Sequence, residues 1–150
     1  MIDSNKITIR ESLPSDIQYI YKISKSSFTN SWSLSSYEED FNNIFSKYFS
    51  LLYGDKLIGF LSIWIIIDEI TITNIAIDIN YRGHGFSKYL LNYLINSFKN
   101  FNILLEVRES NKIAINLYKN FKFEEMYKRH NYYKNPTENA IIMKNSRNYS

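Results

Sequence analysis

The chain has 150 residues, 45% of them hydrophobic, and 18 Lys and Arg stand against 15 Asp and Glu for a formal net charge of +3. That length suits one domain, expected to span residues 1–150 around one core, and so small and dispersed a positive charge argues against a nucleic-acid groove while fitting an anionic ligand. The absence of cysteine excludes disulfides, thiolate metal sites and a cysteine nucleophile, and two histidines far apart in sequence make a weak case for zinc, so no metal is expected.

The first residues, MIDSNKITIR, lack the basic-then-apolar order of a signal peptide. No stretch approaches the roughly 20 apolar residues of a membrane span, so a cytoplasmic protein with no membrane partner is expected. KITIR (6–10) alternates apolar and polar residues and predicts a short strand. LPSDIQYIYKISKSSF (13–28) predicts a helix with Pro14 in its first turn and Ile17, Ile20, Tyr21 and Ile23 on one face. SWSLSSYEEDFNNIF (31–45) predicts a second helix. Serines cap it, acidic residues occupy its first turn, and Tyr37, Phe41, Ile44 and Phe45 recur at helical spacing.

Residues 48–78 hold three β-rich runs broken at Gly54-Asp55 and Asp68-Glu69, the pattern of an antiparallel meander. A third helix follows YRGHG, with Leu90, Leu91, Leu94, Ile95 and Phe98 as its apolar stripe. FNILLEV (101–107) predicts a buried strand and SNKIAINLYKNF (110–121) a capped helix, while KFEEMYKRHNYY (122–133) and ENAIIMK (138–144) predict two final strands. The order βααβββαβαββ is that of a mixed α/β fold.

Two places carry chemistry. In ITNIAIDINYRGHGFSKYLL a strand passes through a glycine turn into a helix. Without Cβ atoms, Gly83 and Gly85 let backbone N–H groups face a ligand, and the helix amino end adds partial positive charge, reinforced by Arg82 and Lys88. An ordinary strand-to-helix turn that uses glycine for its dihedrals is the other reading. Neither the Walker spacing nor the dinucleotide fingerprint is written here, and His84 reads as a solvent-facing side chain.

In LLEVRESNKIAINLYKNFKF (104–123) a carboxylate, Glu106, sits inside an apolar strand. Such a group is paired, solvated through a cleft or raised in pKa, and the last two conditions suit a general base. The alternative is a carboxylate on the wetter face of the strand, paired with Arg108. Tyr118 lies seven positions after Asn111, so two helical turns bring both to one face with Ala114 and Ile115 between them. A tyrosine there also reads as core.

Taken together, these segments resemble the GCN5-related N-acetyltransferase (GNAT) family, whose acetyl-CoA signature is Gln or Arg, two residues, Gly, one residue, then Gly or Ala. Here RGHGFS supplies Arg82 and Gly85, with Ser87 departing at the last small position. More narrowly, SWS (31–33), DEITITNIAID (68–78), LEVRESN (105–111), Ala114, Leu117, Tyr118 and RHNYY (129–133) resemble the branch of ribosomal-protein-alanine N-acetyltransferases, the RimI type.

The resemblance implies a GNAT fold: a central twisted, mostly antiparallel sheet with one splayed strand pair, flanked by about four helices. It also implies acetyl-CoA as co-substrate. Ile75, Ala76 and Ile77 would offer backbone to pantetheine, and Arg82, Gly83, His84, Gly85, Phe86, Ser87 and Lys88 would hold the pyrophosphate. Asn111 would contact the cofactor arm, Glu106 would be the base and Tyr118 the acid. Trp32, Tyr132 and Tyr133 would border a peptide amino end, the acceptor being the N-terminal alanine of a small-subunit ribosomal protein. A small amine such as a polyamine or aminoglycoside, a lysine side chain, and a catalytically silent acyl-CoA-binding module are the alternatives.

Overall fold

The computed structural model describes residues 2–147. Seven strands form one sheet: β1 (Ile7–Glu11), β2 (Ser46–Tyr53), β3 (Lys56–Ile66), β4 (Glu69–Ile77), β5 (Asn102–Arg108), β6 (Glu124–Tyr133) and β7 (Glu138–Asn145). Their order across the sheet is β1-β2-β3-β4-β5-β7-β6. Every neighbouring pair is antiparallel except β4 and β5. The helices are α1 (Ile17–Ser27), α2 (Leu34–Phe41), α3 (Phe86–Ser97) and α4 (Lys112–Asn120), so the element order matches the order read from the sequence. None of the described helices is long and apolar enough to cross a membrane.

The sheet buries both faces. On one, Ile17, Ile20 and Ile23 of α1 and Tyr37 of α2 pack on Tyr48, Phe60 and Ala76. On the other, Phe86, Leu90, Leu91 and Leu94 of α3 and Ile115 and Tyr118 of α4 cover Ile58, Leu61, Ile70, Leu105 and Val107. The α3 stripe follows its period: Leu90, Leu91 and Leu94 are fully buried, each contributing about 1.5–3 kcal/mol of transfer free energy. Ile95 and Phe98 pack against this core from its margin. The last strand, β6, is an edge, and its mostly exposed Lys128, Arg129 and Glu125 discourage pairing with another chain.

Three local expectations are corrected. Pro14 lies in a 3-10 turn, Pro14–Asp16, that leads into α1 rather than in the α-helix itself. The second helix stops at Phe41, leaving Ile44 and Phe45 exposed beyond it, and its first turn carries no acidic residue. Asn42 and Asn43 explain the stop: Asn43 Oδ1 accepts from the Phe45 N–H and so bonds the backbone in a turn instead of a helix. Finally, the β3–β4 turn falls on Ile67-Asp68, one residue earlier than the Asp68-Glu69 break. Ile67 sits there at φ 58°, where a β-branched residue is a poor turn signal.

Candidate active site

β4 and β5 pair only where Glu69, Ile70 and Thr71 face Asn102, Ile103 and Leu104; beyond that the two strands separate. Their far sides stay in ladders with β3 and β7, so the facing backbone edges are left without each other. The separation opens a cleft of about 640 Å³ whose walls include Ile72–Ile77 and Leu105–Arg108. A splayed pair in a mostly antiparallel sheet is the architecture expected.

At the mouth of the cleft the chain leaves β4 through Gly83 and Gly85, at φ 81° and 80°. Left-handed Gly85 is the N-cap of α3, so the first N–H groups of the helix lie beside it. A Cβ on Gly83 would meet nothing within 4 Å, and one on Gly85 only Lys88 Cδ at 3.9 Å. The turn is therefore open to a ligand, with the lysine stem folded over it. Ile75, Ala76, Ile77, Arg82, Gly83, Gly85, Phe86 and Ser87 all line the cleft, whereas His84 and Lys88 do not. His84 is exposed, its ring centroid 6.5 Å from that of Phe86. Arg82 also has a structural duty: its Nε donates to the Ile77 carbonyl (2.9 Å) and Nη2 to Ser27 Oγ (2.8 Å), tying the end of β4 to the end of α1.

The far wall comes from β5 and α4. Val107 and Leu105 point into the core, so Glu106 points to the opposite, solvated face and lines the cleft. The carboxylate is not buried in the strand, and its cationic partner is Arg129 of β6 (Nη1–Oε1 3.8 Å), not Arg108. Arg108 turns to Glu138 (3.3 Å) and to the Lys134 and Pro136 carbonyls, and its guanidinium lies 4.5 Å from the Tyr133 ring centre. It thereby fixes the turn between β6 and β7 beside the cleft.

Asn111 caps α4, its Oδ1 accepting from the Ala114 N–H, and both residues line the cleft. Tyr118, two turns on, reaches the same cleft while packed on Phe123 with ring centres 5.8 Å apart. Burial raises its phenol to about 12, so it holds its proton at neutral pH. Burial is the only cause of that rise, with no hydrogen bond or neighbouring charge contributing to it among the described residues.

Of the three residues expected at a peptide slot, Tyr133 lines the cleft and burial raises its phenol to about 12. Tyr132 is outside the lining but packs edge-on against Tyr133, and the neighbouring Glu106 carboxylate raises its phenol. Trp32 lies elsewhere. It packs on Tyr37, ring centres 5.2 Å apart, and borders a shallow depression with Ser36, Glu39, Asp40 and Asn43. Sequence reasoning missed the α1 end, Ser27–Asn30, and Asn74, all of which line the cleft. A signal for Asn74 existed: isoleucines at 70, 72, 75 and 77 lose their alternation across Thr73-Asn74.

A fold of this kind with a strand gap, a glycine turn at a helix amino end, and carboxylate and phenol on the far wall defines a class. The chain belongs to the acetyltransferase (GNAT) family, whose model matches residues 17–123. It is an acetyl-CoA-dependent N-acetyltransferase. Among its relatives, the [ribosomal protein bS18]-alanine N-acetyltransferase of Haemophilus influenzae is 36% identical over 136 residues, covering 85% of this chain and 90% of that one. The enzyme of the same name from Escherichia coli K12 is 33% identical over 143 residues, covering 91% and 95%. The crystal structure of the ribosomal-protein-S18-alanine N-acetyltransferase from Escherichia coli superimposes with a TM-score of 0.87 at 31% identity, covering 92% of each chain.

Gly85→Val tests the turn. A valine at φ 80° is disfavoured by roughly 1–2 kcal/mol, which urea unfolding should register as lost stability. Its branched side chain also occupies the open side of the turn, so calorimetry should find CoA bound about tenfold more weakly, a loss of about 1.4 kcal/mol. Unchanged CoA affinity in the folded variant would remove the turn from the site.

Proposed function

We propose that the protein acetylates the α-amino group of an N-terminal alanine on a small-subunit ribosomal protein of the bS18 type, with Glu106 as general base and Tyr118 as general acid. The observation that carries this reading is the gap between β4 and β5, which gives Glu106, Tyr118 and the Gly83–Gly85 turn one shared cleft. Residues Gly83–Lys88 hold the diphosphate, the β4 edge at Ile75–Ile77 pairs with the pantetheine arm, and the Asn111 side chain serves the same arm. Acetyl-CoA supplies an activated thioester carbonyl; the chain supplies position and protons.

An α-ammonium group, with a pKa near 7.7–8.0, is mostly protonated at pH 7 and has no lone pair for attack. Glu106, on the solvated wall, takes that proton through water. The amine nitrogen then bonds to the carbonyl carbon, the C–S bond breaks as Tyr118 O–H donates to the departing sulfur, and the second nitrogen proton passes through water to the Tyr118 oxygen, leaving a neutral amide, a thiol and a restored phenol. Backbone N–H groups of β4 stabilise negative charge on the carbonyl oxygen, and no covalent enzyme intermediate is needed. Holding both reactants in one cleft converts the transfer into a first-order step. Tyr133 and Tyr132 border the acceptor.

The relatives' names, and the RHNYY segment that places Tyr133 on the cleft wall, favour a peptide amino end over other amines. The test is a competition by mass spectrometry among an Ala-Arg-initiated peptide, the same peptide blocked at its amino end but carrying a free lysine, and spermidine. The unblocked peptide should be acetylated fastest. Faster acetylation of spermidine or of the blocked peptide would replace this acceptor by a small amine or a lysine.

A further inference from the structure

The loss of alternation in EITITNIAI is a β-bulge: Ile63 pairs with Ile72 and Ser62 with Asn74, leaving Thr73 as the extra residue. Thr73 Oγ1 finds Ser62 Oγ at 2.7 Å. The Asn74 amide nitrogen finds nothing: it is buried without a hydrogen-bond partner among the described residues, on a side chain that borders the cleft. A buried donor left unpaired is uncommon in native proteins and calls for a partner from outside.

The bulge determines where that donor stands. Phe60 pairs with Ala76 and both belong to the core under α1 and α2, so Asn74, two residues before Ala76, is on that face. Glu106 alternates with Leu105 and Val107 of the opposite core and so shares the face of Asn74. The levels also agree. Thr71 is opposite Leu104, and two ladder steps onward reach Glu106 on β5 and, counting the bulge as one step, Asn74 on β4. A neutral donor and a carboxylate thus stand on opposite walls of the gap, at one height and on one face.

We infer that the Asn74 amide nitrogen donates to the backbone carbonyl oxygen of the acceptor's first residue and so selects α-amines over side-chain amines. This rests on the N-terminal reading above. In an amino-terminal residue the carbonyl carbon is two bonds from the amine nitrogen, so an amine directed at Glu106 carries an acceptor oxygen toward the other wall. A lysine side chain or a polyamine carries methylenes there and leaves the donor unpaired, which is the basis on which a polar site rejects an analogue. An uncharged amide matches an uncharged carbonyl.

The experiment compares an Ala-Arg peptide with its (E)-alkene isostere, in which the first peptide bond keeps its shape and loses its carbonyl. The wild-type chain should prefer the amide about tenfold in kcat/KM, chiefly through KM, the amount expected for one hydrogen bond. Asn74→Leu, close to Asn in size but apolar, should lose about tenfold on the amide and treat both acceptors alike. Its thermal midpoint and acetyl-CoA affinity should match the wild type. Asn74→Ser, too short to reach the carbonyl, should repeat the loss of discrimination if leucine disturbs the bulge. An unaltered preference in either folded variant overturns the inference alone. Equal slowing on both acceptors also overturns it, moving Asn74 to the acetyl group. A wild-type preference for spermidine or lysine over both peptides overturns the N-terminal reading and this inference with it.

Discussion

Glu106→Gln is expected to lower kcat at neutral pH on the order of 100-fold, the usual contribution of one general base, with acetyl-CoA affinity unchanged. The substitution keeps the size of the side chain and removes its ability to accept a proton. Because Glu106 stands on the solvated face of β5 with Arg129 at 3.8 Å, glutamine is accommodated there without burying a new polar group. The shape of the pH–rate profile should change as well as its height. With the base gone, the variant depends on amine already deprotonated in solution, so its activity should climb steeply as pH rises through the amine's own range near 7.7–8.0. Steady-state rates from mildly acidic to mildly alkaline pH would check this. A profile parallel to the wild type would return Glu106 to a structural pairing with Arg129.

Most of the fold was readable because its elements follow simple periods. The α3 stripe at Leu90, Leu91 and Leu94 is fully buried as its spacing requires, and each strand run appears within a few residues of where alternation put it. The glycine turn was readable too, since only glycine accommodates φ near 80° at both positions without strain. What failed depended partly on contacts between distant segments and partly on local signals that pointed the wrong way. Leu104 beside Glu106 disguised the strand's two faces, although Ile103, Leu105 and Val107 alone describe the buried one. Arg129 reaches Glu106 from an edge strand two places away in the sheet, a pairing no local pattern encodes. Trp32 was grouped with Tyr132 and Tyr133 by family likeness, whereas its ring is held by Tyr37 on α2, outside the cleft lining. Helical spacing at Ile44 and Phe45 was coincidental, because the two asparagines before them favour a turn.

Tyr118→Phe is expected to reduce the rate by a similar factor, on the order of 100-fold, through a different part of the reaction. The ring is buried against Phe123, and phenylalanine preserves that packing. Burial alone, with no hydrogen bond among the described residues, sets the state of the hydroxyl, so the thermal midpoint should stay within error of the wild type. The pH behaviour separates this residue from Glu106. A phenol raised to about 12 by burial remains protonated throughout the neutral and mildly alkaline range, so it contributes no ionisation to the profile there. Tyr118→Phe should therefore lower the curve without altering its shape, while Glu106→Gln alters the shape. The loss should also shrink for a thioester whose thiolate leaves readily without protonation, since the donated proton then matters less. Stopped-flow release of such a thiol, measured beside CoA release, would show it. A full wild-type rate in Tyr118→Phe, or a loss that is identical for both thioesters, would confine the tyrosine to packing.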